Sequence, residues 1–275
     1  MPDSENTSNL IYSKLQGNNL QNELALSVVI IAFNEEKNIG RCIDSVSTIA
    51  EEIIVLDSFS EDHTVEIAKQ KGALVTQVKF KGYVNQKNDA LQLASNNFIL
   101  SLDADETLSK ELILSILNIK KNAQLAAYSM NRCTNYCGHF LKHGSWYPDR
   151  KIRLFDKRVA IWGGNDPHDT VLLEKEVETS HLKGDILHFS YGSIEEHINQ
   201  NNRFSTIAAQ TLLKRRIRFL WAKIIINPFW AFIYGYIFRL GFLDGFYGFV
   251  VAINVGHYTF MKYSKLRQLK KKNSL

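Results

Sequence analysis

The sequence predicts an α/β fold in which a mostly parallel sheet is flanked by helices. Three observations support this prediction. In the first half of the chain, short apolar and β-branched runs alternate with longer stretches typical of helices. Two carboxylates, Asp103 and Asp105, follow directly after one of these runs. The chain then ends in a segment of different composition, which is basic and aromatic.

The first half supplies the elements of the predicted sheet. Apolar runs predict four strands, the third weaker than the others, at 26–32, 53–56, 74–78 and 98–102. The stretches that follow the strands predict four helices, at 36–47, 61–71, 85–94 and 110–120. Strands and helices that alternate at this spacing form a parallel sheet with helices on both faces. After the first run the chain reads Ala-Phe-Asn-Glu-Glu, without the Gly-x-Gly-x-x-Gly of a dinucleotide-binding dehydrogenase.

The two ends of this alternating region differ from it in composition. Residues 1–23 are rich in Asn and Ser, which predicts a disordered lead-in. They lack the apolar core of a signal peptide, so we expect the folded body to be cytoplasmic. Ser193 and Glu196 form a capping box that predicts a helix running to about Arg218.

Residues 219–261 are strongly apolar and aromatic. Their uncharged stretches, 224–238 and 245–261, are each shorter than the roughly 20 residues that cross a bilayer. Flanking basic residues and many aromatic rings favour a segment that lies in the membrane interface, and a buried helical hairpin is the alternative.

Charge is unevenly distributed along the chain, whose formal net charge is +5. Residues 201–275 hold 13 of the 33 Lys and Arg residues and a single acid, Asp244. This excess predicts attraction to anionic lipid headgroups. A nucleic-acid partner is not expected, because the basic residues are confined to an unusually apolar segment.

The carboxylates after the fourth predicted strand predict a metal site. In open α/β sheets, ligands bind outside the carboxyl ends of the strands. Mg²⁺ and Mn²⁺ take oxygen ligands, usually one or two carboxylates together with the phosphates of a substrate. Asp103 and Asp105 therefore predict a divalent cation, Mg²⁺ or Mn²⁺, that holds a diphosphate.

Four motifs in order strengthen this interpretation, and they read VIIAFNEE at 29–36, VLDSxSxDxT at 55–64, NQKNxA at 85–90 and LDADE at 102–106. Together they resemble family 2 glycosyltransferases, which have the GT-A fold. Four further pieces are similar to bacterial lipopolysaccharide-core glucosyltransferases of the LgtF/WaaE type. These pieces are DRKIRLF at 149–155, PHD at 167–169, HFSY at 188–191 and GFLDG at 241–245.

The resemblance implies a domain organisation and an activity. It implies a GT-A catalytic domain at 24–192, with a nucleotide-sugar half at 24–127 and an acceptor half at 128–192. A helical, membrane-associating segment follows at 193–275. The implied activity is an inverting transfer of a hexose, with glucose expected, from a UDP-sugar to a heptose of the lipopolysaccharide inner core. The implied location is the cytoplasmic face of the inner membrane, with peripheral attachment.

Two other functions stay open. One is a glycosyltransferase that acts on another acceptor, such as a capsule precursor, a lipid carrier or a peptide. The other is a non-catalytic protein that binds a sugar nucleotide on the same fold.

The resemblance also implies which residues bind the nucleotide sugar. Asn34, Glu35 and Asp57 follow the first two strands, and Asp57 is expected at the uracil or ribose. A turn or helix-capping aspartate is the alternative for Asp57. Lys87 is expected to reach the nucleotide or its pyrophosphate as a point charge, and Asp103 to lie near the ribose.

For the chemistry itself, Asp105 is the implied metal ligand, and His188 is a candidate to complete the metal shell. A core histidine is the alternative for His188. Asp169 is the predicted base for the acceptor hydroxyl, with Asp166 and Asp149 as substitutes. Similar proteins have Glu at the position of Asp169, so this chain departs from them by one methylene.

Acceptor contacts are predicted from aromatic and basic residues. Trp146, with Tyr147 and Trp162, offers flat faces for a sugar ring, although core packing is the alternative. Arg150 and Arg153 are expected to bind acidic groups of the acceptor, such as core phosphates.

Overall fold

The structure is a computed structural model that describes residues 24–122, 124–165, 168–215 and 217–272. The predicted lead-in at 1–23 and the candidate base Asp166 lie outside the described residues.

The described chain contains eleven strands. They are β1 (Leu26–Ala32), β2 (Glu52–Asp57), β3 (Leu74–Gln77), β4 (Phe98–Asp103), β5 (Glu106–Leu108), β6 (Ala127–Tyr136), β7 (His139–Phe140), β8 (Asp149–Asp156), β9 (Ala160–Asn165), β10 (His168–Leu173) and β11 (Thr179–Tyr191). The α-helices are α1 (Ile39–Val46), α2 (Thr64–Gln70), α3 (Tyr83–Leu93), α4 (Lys110–Lys121), α5 (Ile194–Leu213), α6 (Leu220–Ile233) and α7 (Gly245–Lys272). Short 3₁₀ turns lie at Gly144–Trp146 and Gly241–Asp244, and a π-helix at Tyr234–Phe238 follows α6.

The four strands and four helices predicted for the first half are confirmed. β1 has the predicted bounds, whereas α1 begins at Ile39, three residues later than predicted. The backbone N–H groups of Asn38 and Ile39 both donate to Glu35 O, at 2.9 and 2.8 Å, so the preceding residues form a turn. The helix start predicted at Ser193 is also confirmed, since its side chain accepts from Glu196 N at 3.1 Å, although the Glu196 carboxylate accepts from Gly192 N, at 2.8 Å, and so completes the capping box one residue earlier. The helix that it begins ends at Leu213, before the predicted end near Arg218.

The described chain divides into two compact units. The first unit contains the residues up to Met130 together with Arg150–Ile186. The second unit contains Asn131–Asp149 and the residues from Leu187 onward. The strand order of the larger sheet is β3-β2-β1-β4-β8-β6-β11-β5, with β7 paired to β6, and β9 and β10 form a separate hairpin.

In the first unit, β1, β2, β3 and β4 pair in parallel. The register places Asp57 opposite Ala32, and Asp103 opposite Ile31. The carboxyl ends of β1, β2 and β4 therefore lie at one edge of the sheet. β8 pairs antiparallel to β4, with Asp156 opposite Phe98.

Both faces of this sheet are covered, as expected for parallel strands. Alternate residues of β1, such as Val28 and Ile30, pack with Ile43 of α1 in one buried cluster. Val29, which points to the opposite face, packs in a second cluster that includes Leu91 of α3. The period of two in the sequence thus fixes which side of β1 meets which helix.

In the second unit, aromatic rings form the main packing contacts near β6. The Tyr136 ring lies edge-on to Trp146, Tyr191 and Tyr247, with ring centroids 5.9, 5.7 and 5.9 Å away. Edge-to-face pairs of this kind stabilise a core beyond the apolar area that they bury. Tyr136 is fully buried, so these rings pack around a fixed centre.

His197 of α5 is a buried histidine in this aromatic cluster. Its Nδ1 lies 3.0 Å from Tyr136 Oη, and its Nε2 lies 3.0 Å from Asn201 Nδ2. Burial lowers the pKa of His197 to about 4. The folded protein therefore holds this ring in the neutral form at pH values where an exposed histidine is partly charged.

We expect the free energy of unfolding to fall by about 2 kcal/mol between about pH 7.5 and about pH 5 because of His197. The lowered pKa contributes stability that is fully present above the unfolded value near 6.5 and is lost as the pH falls towards the folded value. Denaturant unfolding of the wild type and of His197→Gln at both pH values measures the difference. The exposed His63→Gln serves as the control, and an unchanged pH dependence in His197→Gln would contradict the assignment.

Candidate functional site

Lys87 of α3 is the centre of a buried charge cluster in the first unit. Its Nζ lies 2.9 Å from Asp103 Oδ1 and 2.8 Å from Asp169 Oδ2. Asp103 ends β4 and Asp169 lies on β10, opposite Gly164 of β9. The Lys87 side chain is only 3% exposed. The fold thus brings together a predicted nucleotide contact, a predicted ribose contact and the predicted base.

Arg153 of β8 belongs to the same cluster. Its Nη2 lies 3.0 Å from Asp103 Oδ2 and 3.1 Å from Glu106 Oε1. Glu106 is fully buried, and its Oε2 accepts from Asp103 N at 3.0 Å. Burial by itself lowers the pKa of Arg153, but the charges of Glu106 and Asp103 outweigh it and raise that pKa. Arg153, which the sequence suggested as an acceptor contact, therefore lies as a permanent cation beside the carboxylate that ends β4.

Trp162 of β9 adds an aromatic wall to the cluster. Its ring centroid lies 4.4 Å from Lys87 Nζ and 5.2 Å from Arg153 Cζ, so both cations face the ring. Within the described part of the chain, Trp162 Nε1 and the Nε and Nη1 of Arg153 are buried without a hydrogen-bond partner. A buried donor without a partner costs about 1–3 kcal/mol. Several such donors beside two cations favour a ligand that is rich in oxygen acceptors.

Arg153→Met is expected to lower the free energy of unfolding by about 3–5 kcal/mol, because it leaves the buried Glu106 carboxylate without its cation. Chemical denaturation measures this change. The control is Lys71→Met, which breaks a pair with Asp44 whose side chains are 34% and 63% exposed. That control should cost less than about 1 kcal/mol. Equal costs for the two variants would show that the Arg153 cluster is not a buried ionic network.

The loops after β1 and β2 hold the other predicted nucleotide contacts. Asn34 is exposed, and its Oδ1 accepts from Glu61 N at 2.8 Å. Asp57 is fully buried and accepts from Ser60 N and from Gln77 Nε2, both at 2.9 Å. The contact of Asn34 joins the two loops. The contacts of Asp57 are those of an aspartate that stabilises a turn, which was the alternative role predicted for it. Its contact with a nucleotide stays a prediction.

Asp105 and Glu35 are the carboxylates that fit a divalent cation. Both are half-buried. Burial raises the pKa of Glu35, and the nearby charge of Asp105 raises it further. A bound cation would relieve this crowding of negative charge. Asp103 is less suited to be a ligand, because each of its oxygens already contacts a buried cation.

The protein supplies only part of a metal shell here. In the ranges that the structure describes, no group of three or more His, Cys, Asp or Glu side chains is placed to hold a metal ion. The donor set therefore fits a cation held by one or two carboxylates and completed by substrate phosphates, which is the common arrangement for Mg²⁺.

The remaining predicted residues are divided between the units. Trp146 and His188 line a cavity in the second unit. His188 Nδ1 lies 2.6 Å from Ser190 Oγ, and its role as a metal ligand stays a prediction. Arg150 is exposed on β8. Arg132 was not predicted from the sequence, and it pairs with Asp149 at 2.8 Å in the same cavity. Arg132 is the single charged residue of β6, and a lone charge in a strand of this kind is the signal that could have indicated a paired carboxylate.

Comparison with known proteins identifies the family. Residues 27–175 match the family described as "Glycosyl transferase family 2", which is more than half of the 275 residues. The chain belongs to this family. The predicted fold class, a GT-A fold with a mostly parallel sheet flanked by helices and an apolar helical segment near the C-terminus, is confirmed.

Two related glycosyltransferases match this chain over most of their length. An uncharacterised glycosyltransferase of Rickettsia typhi is 35% identical over 259 residues, which cover 90% of this chain and 88% of that protein. The lipopolysaccharide core biosynthesis glycosyltransferase LpsC of Rhizobium meliloti is 28% identical over 256 residues, covering 90% of this chain and 93% of LpsC.

Solved structures are similar at a lower level. Glucosyl-3-phosphoglycerate synthase from Mycobacterium tuberculosis, solved with Mn²⁺ and UDP, is 25% identical, with a TM-score of 0.34 and coverage of 41% of this chain and 44% of that one. S. aureus TarS 1–349 in complex with UDP is 15% identical, with a TM-score of 0.45 and coverage of 91% of each chain.

Proposed function

We propose that this family 2 glycosyltransferase is an inverting hexosyltransferase that moves a hexose, with glucose expected, from a UDP-sugar to a heptose of the lipopolysaccharide inner core. One observation carries the proposal. At the carboxyl edge of the sheet, the buried Lys87 bridges Asp103 and the candidate base Asp169, and a second buried cation, Arg153, pairs with Asp103. Such an edge is where open α/β sheets bind nucleotides.

The donor half of this reaction is supported by the hydrogen-bonding groups of the cluster. A nucleotide sugar presents diphosphate oxygens, which need cations, and sugar hydroxyls, which both donate and accept. Lys87 and the unpartnered N–H groups of Arg153 and Trp162 supply donors, and the carboxylates supply acceptors. Asn34, Glu35 and Asp57, in the loops after β1 and β2, are proposed to contact the nucleoside.

A divalent cation, Mg²⁺ or Mn²⁺, is proposed to bind at Asp105 with Glu35 nearby. When bound, it would neutralise negative charge on the diphosphate, which is a Lewis-acid role. The side chains of the protein supply the other functions that the transfer needs. They orient the sugar, hold the two cations in a site that is largely closed to water, and take the proton of the acceptor.

Asp169 is proposed as the base. In an inverting transfer, the acceptor oxygen forms a bond to the anomeric carbon while the bond from that carbon to the diphosphate breaks. The proton of the acceptor hydroxyl passes to Asp169. In the structure, Lys87 occupies Oδ2 of Asp169. The diphosphate of a bound donor is another anion with which Lys87 can pair. Movement of the Lys87 ammonium group to the diphosphate would free Asp169 Oδ2 to accept the proton.

Peripheral attachment to the inner membrane is proposed for the α6 region of the second unit. Leu220–Phe238 is 19 residues long and has a mean hydropathy of 1.2, so its length and composition would allow it to cross a membrane. Only 11% of it is buried within the protein, which leaves an apolar surface exposed. Phe219, Ile225 and Phe229 are 81%, 69% and 70% exposed. A buried hairpin, the alternative from the sequence, would hide such side chains. An exposed patch of this kind marks a surface for a partner or a membrane.

Basic residues near this exposed surface indicate the type of membrane. Lys214, Arg215 and Arg218 precede α6, and Lys270, Lys271 and Lys272 end α7. Clusters of Lys and Arg beside an apolar face attract anionic headgroups, at about 1 kcal/mol for each residue near the surface. We propose an anionic, cytoplasmic membrane face as the partner, where an amphiphilic acceptor would also lie.

The acceptor is the least constrained part of the proposal. Its support is the 28% identity to LpsC, which is named for lipopolysaccharide core biosynthesis. A capsule precursor, a lipid carrier or a peptide is the alternative acceptor. A non-catalytic binding protein is the alternative of another class, and the retained Asp103, Asp105 and Asp169 argue against it.

A transfer assay tests the proposal. The full chain is incubated with Mn²⁺, UDP-glucose and lipopolysaccharide truncated to its terminal heptose, and the product is weighed by mass spectrometry. One added hexose is expected, with UDP-galactose and GDP-mannose as donor controls. Transfer only to a different acceptor would replace the acceptor assignment. Donor binding without transfer to any acceptor would support the non-catalytic alternative.

A further inference from the structure

A cavity of about 270 Å³ lies in the second unit. Part of its wall is a stacked aromatic pair, Trp146 and Tyr191, with ring centroids 5.6 Å apart and planes inclined by 24°. The buried Tyr136 packs edge-on against both rings, which holds them in place. The cavity therefore offers a rigid aromatic surface, which is typical of a ligand pocket whose shape exists before the ligand binds.

Charged and polar side chains complete the lining. Arg132 Nη2 and Nε lie 2.8 and 3.0 Å from Asp149 Oδ2. The two side chains are 24% and 31% exposed, so solvent and solutes reach them. This distinguishes the pair from the buried pairs of Arg153. His188 and Ser190 face the same cavity, with Nδ1 and Oγ 2.6 Å apart.

We propose that this cavity binds one neutral sugar ring of the acceptor, an inference that rests on the proposed glycosyltransferase function. The apolar face of a pyranose packs against aromatic side chains, and both Trp146 and Tyr191 line this cavity. Each sugar hydroxyl both donates and accepts hydrogen bonds. A carboxylate beside a guanidinium, as in Asp149 and Arg132, meets both needs for neighbouring hydroxyls.

The charge of the lining argues against an anionic ligand. Arg132 is matched by Asp149 at hydrogen-bond distance, so the pair has no net charge. A phosphate site needs an excess of cations or free backbone N–H groups, and Asp149 would repel a phosphate. The aromatic pair also has no role in binding a small inorganic anion. The lining thus favours an uncharged saccharide over a phosphorylated one.

Saccharide binding by the full chain, without donor, tests the proposal. The ligand is the methyl α-glycoside of L-glycero-D-manno-heptose, followed by saturation-transfer NMR and calorimetry. We expect Asp149→Asn to raise the Kd for this heptoside by about tenfold or more. The control Asp44→Asn, which alters an exposed ion pair of the first unit, should leave the Kd unchanged. UDP binding should be the same in wild type and in both variants.

Several results would overturn the proposal. Equal heptoside binding by wild type and Asp149→Asn is one, and no saturation transfer to the heptoside in a protein that binds UDP is another. Tighter binding of heptose 4-phosphate than of the neutral heptoside would assign the cavity to an anion instead. Arg132→Gln gives a second test should Asp149→Asn not fold, since it removes the other half of the pair. If the wild type did not bind UDP, the proposed function itself would be contradicted.

Discussion

Asp169→Asn is expected to lower kcat for sugar transfer by about 10³-fold, which is within the range for loss of a general base. The amide cannot accept the proton of the acceptor hydroxyl, although it keeps the shape of the side chain. Lys87 keeps its second partner, Asp103, at 2.9 Å, so the donor site should remain assembled. UDP affinity should therefore change little, and steady-state kinetics together with UDP calorimetry measure both quantities.

Asp89→Asn is the matched control for this experiment. Asp89 is an exposed carboxylate on α3, two positions after Lys87, and its loss should leave kcat unchanged. Retention of transfer within tenfold of wild type by Asp169→Asn would show that another group is the base. Loss of UDP affinity together with transfer would show that Asp169 instead maintains the structure of the donor site.

The second large effect is expected on membrane binding. The triple variant Phe219→Ser, Ile225→Ser and Phe229→Ser removes three side chains that are 81%, 69% and 70% exposed. Full burial of such a side chain is worth about 1.5–3 kcal/mol. With partial insertion of each, we expect the partition coefficient to fall by about 10²- to 10³-fold. Sedimentation with vesicles rich in phosphatidylglycerol measures this coefficient.

Leu114→Ser provides the matched control, since Leu114 is a 67% exposed leucine on α4 of the first unit. It should partition as the wild type does. Vesicles of zwitterionic lipid should bind the wild type more weakly than anionic ones, because the basic residues then lose their attraction. Equal binding of the triple variant and wild type would show that the exposed apolar face does not contact lipid.

The sequence was most informative where hydrophobic runs are continuous. β1 has its predicted bounds because all seven residues of Leu26–Ala32 lie within a sheet that is covered on both faces. Helix starts were less predictable. The turn at Glu35–Asn38 carries the same acidic residues that favour a helix N-terminus, so composition could not separate the two.

The site was only partly predictable, because its residues are brought together by the pairing of segments that lie far apart in the sequence. The sequence placed carboxylates at the end of β4, but it could not show that Lys87 reaches Asp169, which lies 82 positions away. Nor could it show that β8 runs antiparallel to β4 with Asp156 opposite Phe98, a register that brings Arg153 towards Asp103. Pairings between distant strands depend on the whole fold rather than on local composition.

A calorimetric titration of the full chain with UDP, with and without Mn²⁺, tests the central claim most directly. We predict saturable binding at one site that depends on Mn²⁺ in the wild type. Asp105→Asn should lose this dependence together with most of the affinity, because the carboxylate proposed to hold the cation is gone. No UDP binding by the wild type, with or without Mn²⁺, would contradict the assignment of the Lys87 and Arg153 cluster as a donor site.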